Sequence, residues 1–214
     1  MIPIKNISFS SGGFSGVAFI GSVKLLCELD LLANIERVSG CSVGSLVALL
    51  VVCGCDFRTF EETMINTIHM FKKYYSVVSF VSNIRNLKSG CGIYTSESLR
   101  KIMEQFVVKV AQSDFTFSQL YAKTNKQFLV TSTCLETGDP FYFSHIYTPD
   151  TKISDALTSS CSLPFIFTKQ QFGDKILCDG FLCEKIHCWP GLSEENTVAF
   201  LVQNDTLEGL SGYV

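Results

Sequence analysis

Three short stretches of this chain combine residue types and spacing that can do chemistry. Gly40-Cys41-Ser42-Val43-Gly44 has the G-x-S-x-G spacing of a nucleophile elbow, where two glycines allow a tight turn and the serine hydroxyl projects above the sheet edge. The run S-S-G-G-F-S-G over residues 10–16 offers the backbone N–H groups of Gly12, Gly13 and Phe14 as converging donors for an oxyanion. It lacks both G-x-G-x-x-G and the Lys-Ser/Thr ending of a phosphate loop. Cys178-Asp179-Gly180-Phe181 sets a carboxylate at the end of an apolar run. There, a carboxylate made more basic by burial accepts a serine proton directly. Only three histidines compete for the role of base: His69 within a helical pattern, His145 after a hairpin strand, and His187 eight positions beyond Asp179. A Ser-His-Asp triad through His187, a Ser42–Asp179 dyad, and a plain Asp-Gly turn all remain open on spacing alone.

Each of these stretches needs elements to hold it. "NISF" reads as a strand running into the glycine loop, and Val17, Ile20, Val23, Leu26 and Cys27 then carry helical spacing. "ERVSG" is a second strand, and "SVGSLVALLVVCG" a helix so apolar that it belongs inside the molecule. The segment from Asp56 to Tyr75 is a helix capped by Asp56, with Phe60, Met64, Ile68 and Phe71 on one face and Lys72 and Lys73 near its end. A further helix starts at a Thr95/Ser96 cap. "KQFLVTSTCLETGDPFYFSH" alternates as two strands around Thr137-Gly138-Asp139-Pro140. "KISDALTSSCSLPFIF" is a helix from Ser154 that stops before Pro164. "DKILCDGF" and "NTVAFLV" supply the last strands. Strands alternating with helices imply a three-layer α/β/α fold around a mostly parallel central sheet. With 214 residues and no linker or repeat, a single domain over residues 1–214 is expected.

Composition narrows the function classes. Apolar residues make up 47% and charged residues 17% of the chain, the balance of a globular protein with an oily core or site. A net charge of −3 without any basic stripe makes nucleic acid a poor partner. The N-terminus lacks the pattern of a secretory signal, and the longest apolar stretch, residues 46–55, has about half the length of a membrane span. A cytoplasmic protein is expected, with peripheral membrane contact through the aromatic and basic stretch "FKKYYSVVSFVSNIRN", which carries Lys72, Lys73 and Arg85. The ten cysteines sit in apolar runs and read as buried reduced thiols. Cys178, Cys183, His187 and Cys188 are spaced C-x4-C-x3-H-C, which does not match recognised zinc modules, so no metal is expected.

The order glycine loop, G-x-S-x-G, Asp-Gly resembles the patatin-like phospholipases, on "SGGFSG" (Ser11 to Gly16), "GCSVG" and "DGF" (Asp179 to Phe181). The flanks "GVAFIGSVKLL", "GIYTSESLRKIM" and "ISDALTSSCSLPFIF" look similar too, so the likeness covers roughly residues 7–185. It implies Ser42 as nucleophile, Asp179 as base, and the amides of Gly12, Gly13 and Phe14 as oxyanion hole. The implied reaction is hydrolysis of a phospholipid or acylglycerol ester through an acyl-serine, without cofactor or calcium. Ser11, Ser15 and Phe181 depart from the pattern: the loop loses a glycine and a customary basic residue, and the Asp motif gains a bulky one. A catalytically silent lipid-binding module and a hydrolase of small esters or thioesters are the rival expectations. The chain ends soon after "TVAFLV", where such a domain is expected to continue into further helices.

Overall fold

The computed structural model describes residues 4–75, 92–183, 189–190 and 196–202. Strand β1 (Asn6–Phe9) runs into a 3-10 turn, Gly13–Ala18, and helix α1 (Phe19–Glu28). Strand β2 (Arg37–Cys41) follows, then α2 (Val43–Val52) and α3 (Phe57–Tyr74). After β3 (Gly92–Tyr94) come α4 (Ser96–Ala111), α5 (Phe117–Thr124), β4 (Gln127–Cys134), β5 (Pro140–Phe143) and α6 (Ile153–Ser160). Strands β6 (Phe165–Phe167), β7 (Gln170–Phe172), β8 (Lys175–Asp179) and β9 (Thr197–Phe200) complete the order.

Helix α2 decides the interior. All ten of its residues are buried, and it packs on β1, β2 and β4. Four of the ten are valines, which give up side-chain freedom in a helix, but enclosure outweighs that cost. Each enclosed Val or Leu contributes about 1.5–3 kcal/mol. Helix α3 is held as the sequence implies: Asp56 caps it by accepting from the Thr59 N–H, and Phe60, Met64 and Ile68 face the core. Thr95 caps α4 in the same way through Ser98. Helix α1 lies against α3, and α6 rests on β4 and β8 with α4 outside it.

The main sheet has seven strands and is mixed. Strands β9, β1, β2 and β4 are joined by parallel ladders; β5 and β8 join β4 antiparallel, and β7 joins β8 antiparallel. The register on β4 positions the site. Thr131 faces Cys41 of β2 on one edge and Tyr142 of β5 on the other. One residue on, Ser132 faces Phe141 of β5 and Asp179 of β8. Strands β2 and β8 therefore share one edge of β4 and approach each other head-on. Their C-terminal ends, Cys41 and Asp179, meet opposite adjacent residues of β4.

Four elements were not anticipated. Strands β3 and β6 pair as a small separate parallel sheet, and β7 forms a hairpin with β8 about Gly173. Helix α5 opens with a capping box in which the Thr116 hydroxyl accepts from the Gln119 N–H while the Gln119 side chain accepts from the Thr116 N–H. Helix α6 starts at Ile153 and ends at Ser160, short of Pro164.

Candidate active site

The chain turns at Ser42 between the end of β2 and the start of α2, with φ 52° and ψ −128°. That conformation is strained for a residue with a side chain and persists only when the surroundings enforce it. The enforcement is steric and polar. A Cβ on Gly44 would lie 2.3 Å from the Ser10 carbonyl oxygen and 2.4 Å from that of Phe9, so α2 can start this close to β1 only with glycine there. A Cβ on Gly40 would meet the Gly44 carbonyl oxygen at 2.4 Å. The Ser42 N–H donates to Ser160 Oγ (2.9 Å), whose hydroxyl donates in turn to the Thr131 carbonyl (2.6 Å). Ser45 Oγ donates to the Ser42 carbonyl.

Ser42 occupies the N-cap position of α2, where a serine ordinarily accepts a bond from the first-turn amides. Here it makes no cap. Its hydroxyl donates instead to Asp179 Oδ2 at 2.8 Å. Asp179 is wholly buried, and its other oxygen accepts from the Phe181 N–H at 2.9 Å, with the Cys41 thiol at 3.9 Å. Burial is the dominant influence on this carboxyl and raises its pKa to about 6; the bonds from Phe181, Ser42 and Cys41 oppose the rise. Asp179 is thus the head of an Asp-Gly turn and the partner of Ser42 at once. Phe181 contributes through its amide, while its side chain turns outward and is half exposed rather than forming a wall beside Asp179.

The glycine loop lies against the same turn. A Cβ on Gly16 would fall 2.6 Å from the methyl groups of Val43, so the 3-10 turn rests directly on the residue after Ser42. Gly13 and Phe14 open that turn, and the first N–H groups of a helical segment have no partner within it. The start of α2 presents amides of the same kind beside Ser42. The structure therefore brings Ser42 and Asp179 into contact and sets the glycine loop against the same turn, where α2 begins.

The histidines do not join them within the described residues. His69 is exposed on α3, and His145 stacks on Tyr121 with ring centres 4.1 Å apart, its pKa lowered by burial. His187, the candidate third member of a triad, lies outside the described residues, as do Cys188 and Arg85. No disulfide joins the eight described cysteines, and no group of three or more His, Cys, Asp or Glu among the described residues can hold a metal ion. Ser160 was not foreseen; it is one serine among several in "TSSCS", and only its placement beside Thr131 gives it a role.

Comparison with known proteins places the chain in a family. The family model for the patatin-like phospholipase matches residues 7–187. The chain belongs to the patatin-like phospholipase family. Among relatives, this patatin-like chain is 29% identical over 182 residues to the uncharacterized protein R571 of Acanthamoeba polyphaga mimivirus, covering 83% of this chain and 58% of that one. It is 26% identical over 185 residues to the probable lipid hydrolase 463L of Invertebrate iridescent virus 6, covering 82% and 59%. It is also 27% identical over 208 residues to triacylglycerol lipase 4 of Saccharomyces cerevisiae, covering 92% and 21%. The patatin-like chain thus spans well under two thirds of the length of these relatives. Its fold is that of VipD from Legionella pneumophila, with TM-score 0.65 and 15% identity, covering 98% of this chain and 52% of that one. ExoU in its complex with SpcU from Pseudomonas aeruginosa superposes with TM-score 0.59 and 20% identity, covering 97% and 49%. No helix among the described residues is long and apolar enough to cross a membrane.

Proposed function

We propose that this chain is a serine lipid acyl hydrolase, a phospholipase A or acylglycerol lipase, working through a Ser42–Asp179 dyad. The observation that carries the reading is the 2.8 Å bond from the Ser42 hydroxyl to a fully buried carboxylate whose pKa is raised to about 6. A carboxylate of ordinary acidity is a poor acceptor for a serine proton, and burial narrows that gap. Ser42 Oγ attacks the ester carbonyl carbon as its proton passes to Asp179 Oδ2. Negative charge develops on the carbonyl oxygen, which receives the N–H groups of Gly12, Gly13 and Phe14 and the positive end of α2. The C–O bond to the alcohol then breaks, and the leaving oxygen takes the proton from Asp179. Water attacks the acyl-serine, again giving its proton to Asp179, and the fatty acid leaves as Ser42 recovers its hydrogen.

The surroundings favour an apolar acyl ester. Phe14, Phe181 and Leu182, which adjoin the oxyanion loop and the dyad aspartate in the chain, are each about half exposed, a greasy rim rather than a polar one. The names of the relatives, a probable lipid hydrolase and a triacylglycerol lipase, support the same class. Both Ser42→Ala and Asp179→Ala should abolish fatty-acid release from phospholipid and acylglycerol dispersions. A fluorophosphonate probe should add its mass to the peptide containing Ser42. Retained hydrolysis in Ser42→Ala overturns the proposal. Absence of both labelling and hydrolysis in the wild type selects a silent lipid-binding module.

A further inference from the structure

Beside the oxyanion loop lies a shallow cleft of about 170 Å³ between the Gly13–Ala18 turn and α3, lined by Phe14, Val17, Ile65, Ile68, His69 and Lys72. Its volume is below the roughly 300–1,000 Å³ of sites that enclose a whole small ligand, so it is a notch against which something larger rests. Its chemistry is divided. Phe14, Val17 and Ile65 are exposed apolar side chains, while Lys72 and His69 supply nitrogen groups at the end nearer the α3 C-terminus. Ile65, His69 and Lys72 stand four and then three residues apart, one line along an exposed face of α3, separate from the core face of Phe60, Met64 and Ile68. The Lys72 ammonium lies 6.0 Å from the centre of the Phe14 ring and makes no ion pair with any described residue. Lys73 beside it is exposed as well. The acidic Glu62, one turn before Ile65, is engaged by Arg58.

We infer that this cleft is a docking site for a membrane surface carrying anionic phospholipid. Phe14, Val17 and Ile65 enter the acyl boundary while Lys72 takes an anionic headgroup. An exposed ring and aliphatic groups bordered by exposed lysine match the two layers of a bilayer interface, apolar below and negatively charged above. Because Phe14 belongs both to the cleft and to the loop beside Ser42, docking here brings the mouth of the dyad to the lipid. The inference deepens the hydrolase reading and depends on it for its purpose, though not for its test.

The test measures cosedimentation of the full chain with phosphatidylcholine vesicles, with and without phosphatidylserine, alongside turnover of a water-soluble short-chain ester. The wild type should bind the phosphatidylserine vesicles more tightly, and added salt should weaken the difference. Lys72→Gln should lose about fivefold in binding to those vesicles, the worth of one lysine at an anionic surface, and little on phosphatidylcholine alone. Ile65→Asp should weaken binding to both. Neither variant should change turnover of the soluble ester, which needs no surface. Unchanged binding of Lys72→Gln overturns the docking site, and so does an equal loss of soluble-ester turnover in that variant. If the wild type binds with this pattern yet hydrolyses no ester, the hydrolase reading falls and the docking site stands.

Discussion

Replacing Asp179 by Asn tests the central claim that burial, rather than a charged partner, tunes this carboxyl. The exchange is nearly isosteric: the Asn oxygen still accepts from the Phe181 N–H, and the amide group still faces Ser42 Oγ. What changes is the cost of holding a charge inside the protein. An Asp whose pKa rises from 3.8 unfolded to about 6 folded binds its proton more tightly in the native state. Stability is therefore greatest below the unfolded value, falls as pH rises through the window between the two, and levels off above the folded value. The rise from 3.8 to about 6 corresponds to roughly 3 kcal/mol lost at pH 7.5 and about 1 kcal/mol at pH 4.5. Asn carries no such pH-dependent cost. The stability of Asp179→Asn relative to wild type should therefore be about 2 kcal/mol more favourable at pH 7.5 than at pH 4.5. Urea unfolding of both proteins at the two pH values measures this, and the double difference cancels any constant effect of the new side chain. The same carboxyl should make wild-type kcat/KM on a soluble ester fall tenfold per pH unit below about 6, and Asp179→Asn should be inactive throughout. A double difference near zero, or one of opposite sign, refutes the burial argument.

Two further outcomes probe the turn. Ser160→Ala removes the hydroxyl that accepts from the Ser42 N–H and donates to the Thr131 carbonyl, breaking two buried hydrogen bonds. Chemical denaturation should show a loss of about 2–4 kcal/mol, and ester turnover should drop while Ser42 remains labelled by a fluorophosphonate. Gly44→Ala drives a Cβ into two backbone oxygens of Phe9 and Ser10, and backbone cannot move aside as a side chain can. Circular dichroism and solubility should report failure to reach the native fold, whereas Gly21→Ala, where a Cβ meets open space, should fold normally.

Short-range patterns in the sequence carried most of what could be read there. "GCSVG" announces its turn through its glycine spacing, although only Gly40 is required within the motif while Gly44 is required by Phe9 and Ser10 at the end of β1, and the all-apolar run after it can only be an interior helix. The glycine loop and the Asp-Gly turn are equally local. The meeting of Ser42 and Asp179 was legible only as an order of motifs resembling a family. Their distance depends on strand register across 137 residues, which no local periodicity encodes. Ser160 was hidden for the same reason. Helix α5 was overlooked although its capping box, Thr116 to Gln119, is written in the sequence; at eight residues it has too few turns for a clear apolar stripe. Strands β3, β6 and β7 are three residues each, shorter than any alternation can reveal.

The head-on arrival of β2 and β8 along one edge of β4 has an evolutionary and engineering consequence. The spacing of Ser42 and Asp179 is measured off on β4 in single-residue steps, with Cys41 opposite Thr131 and Asp179 opposite Ser132. Apart from Gly44 and Ser160, which hold the Ser42 turn, the excursions from Val43 to Lys126 and from Leu135 to Asp174 do not enter that measurement. A lineage is free to lengthen or shorten the exposed loops of either excursion without retuning the pair, whereas one residue inserted into β4 between positions 131 and 132 would separate it. An exposed loop of either excursion is accordingly the place to cut the chain into two fragments, whose reassembly on β4 restores the Ser42–Asp179 contact.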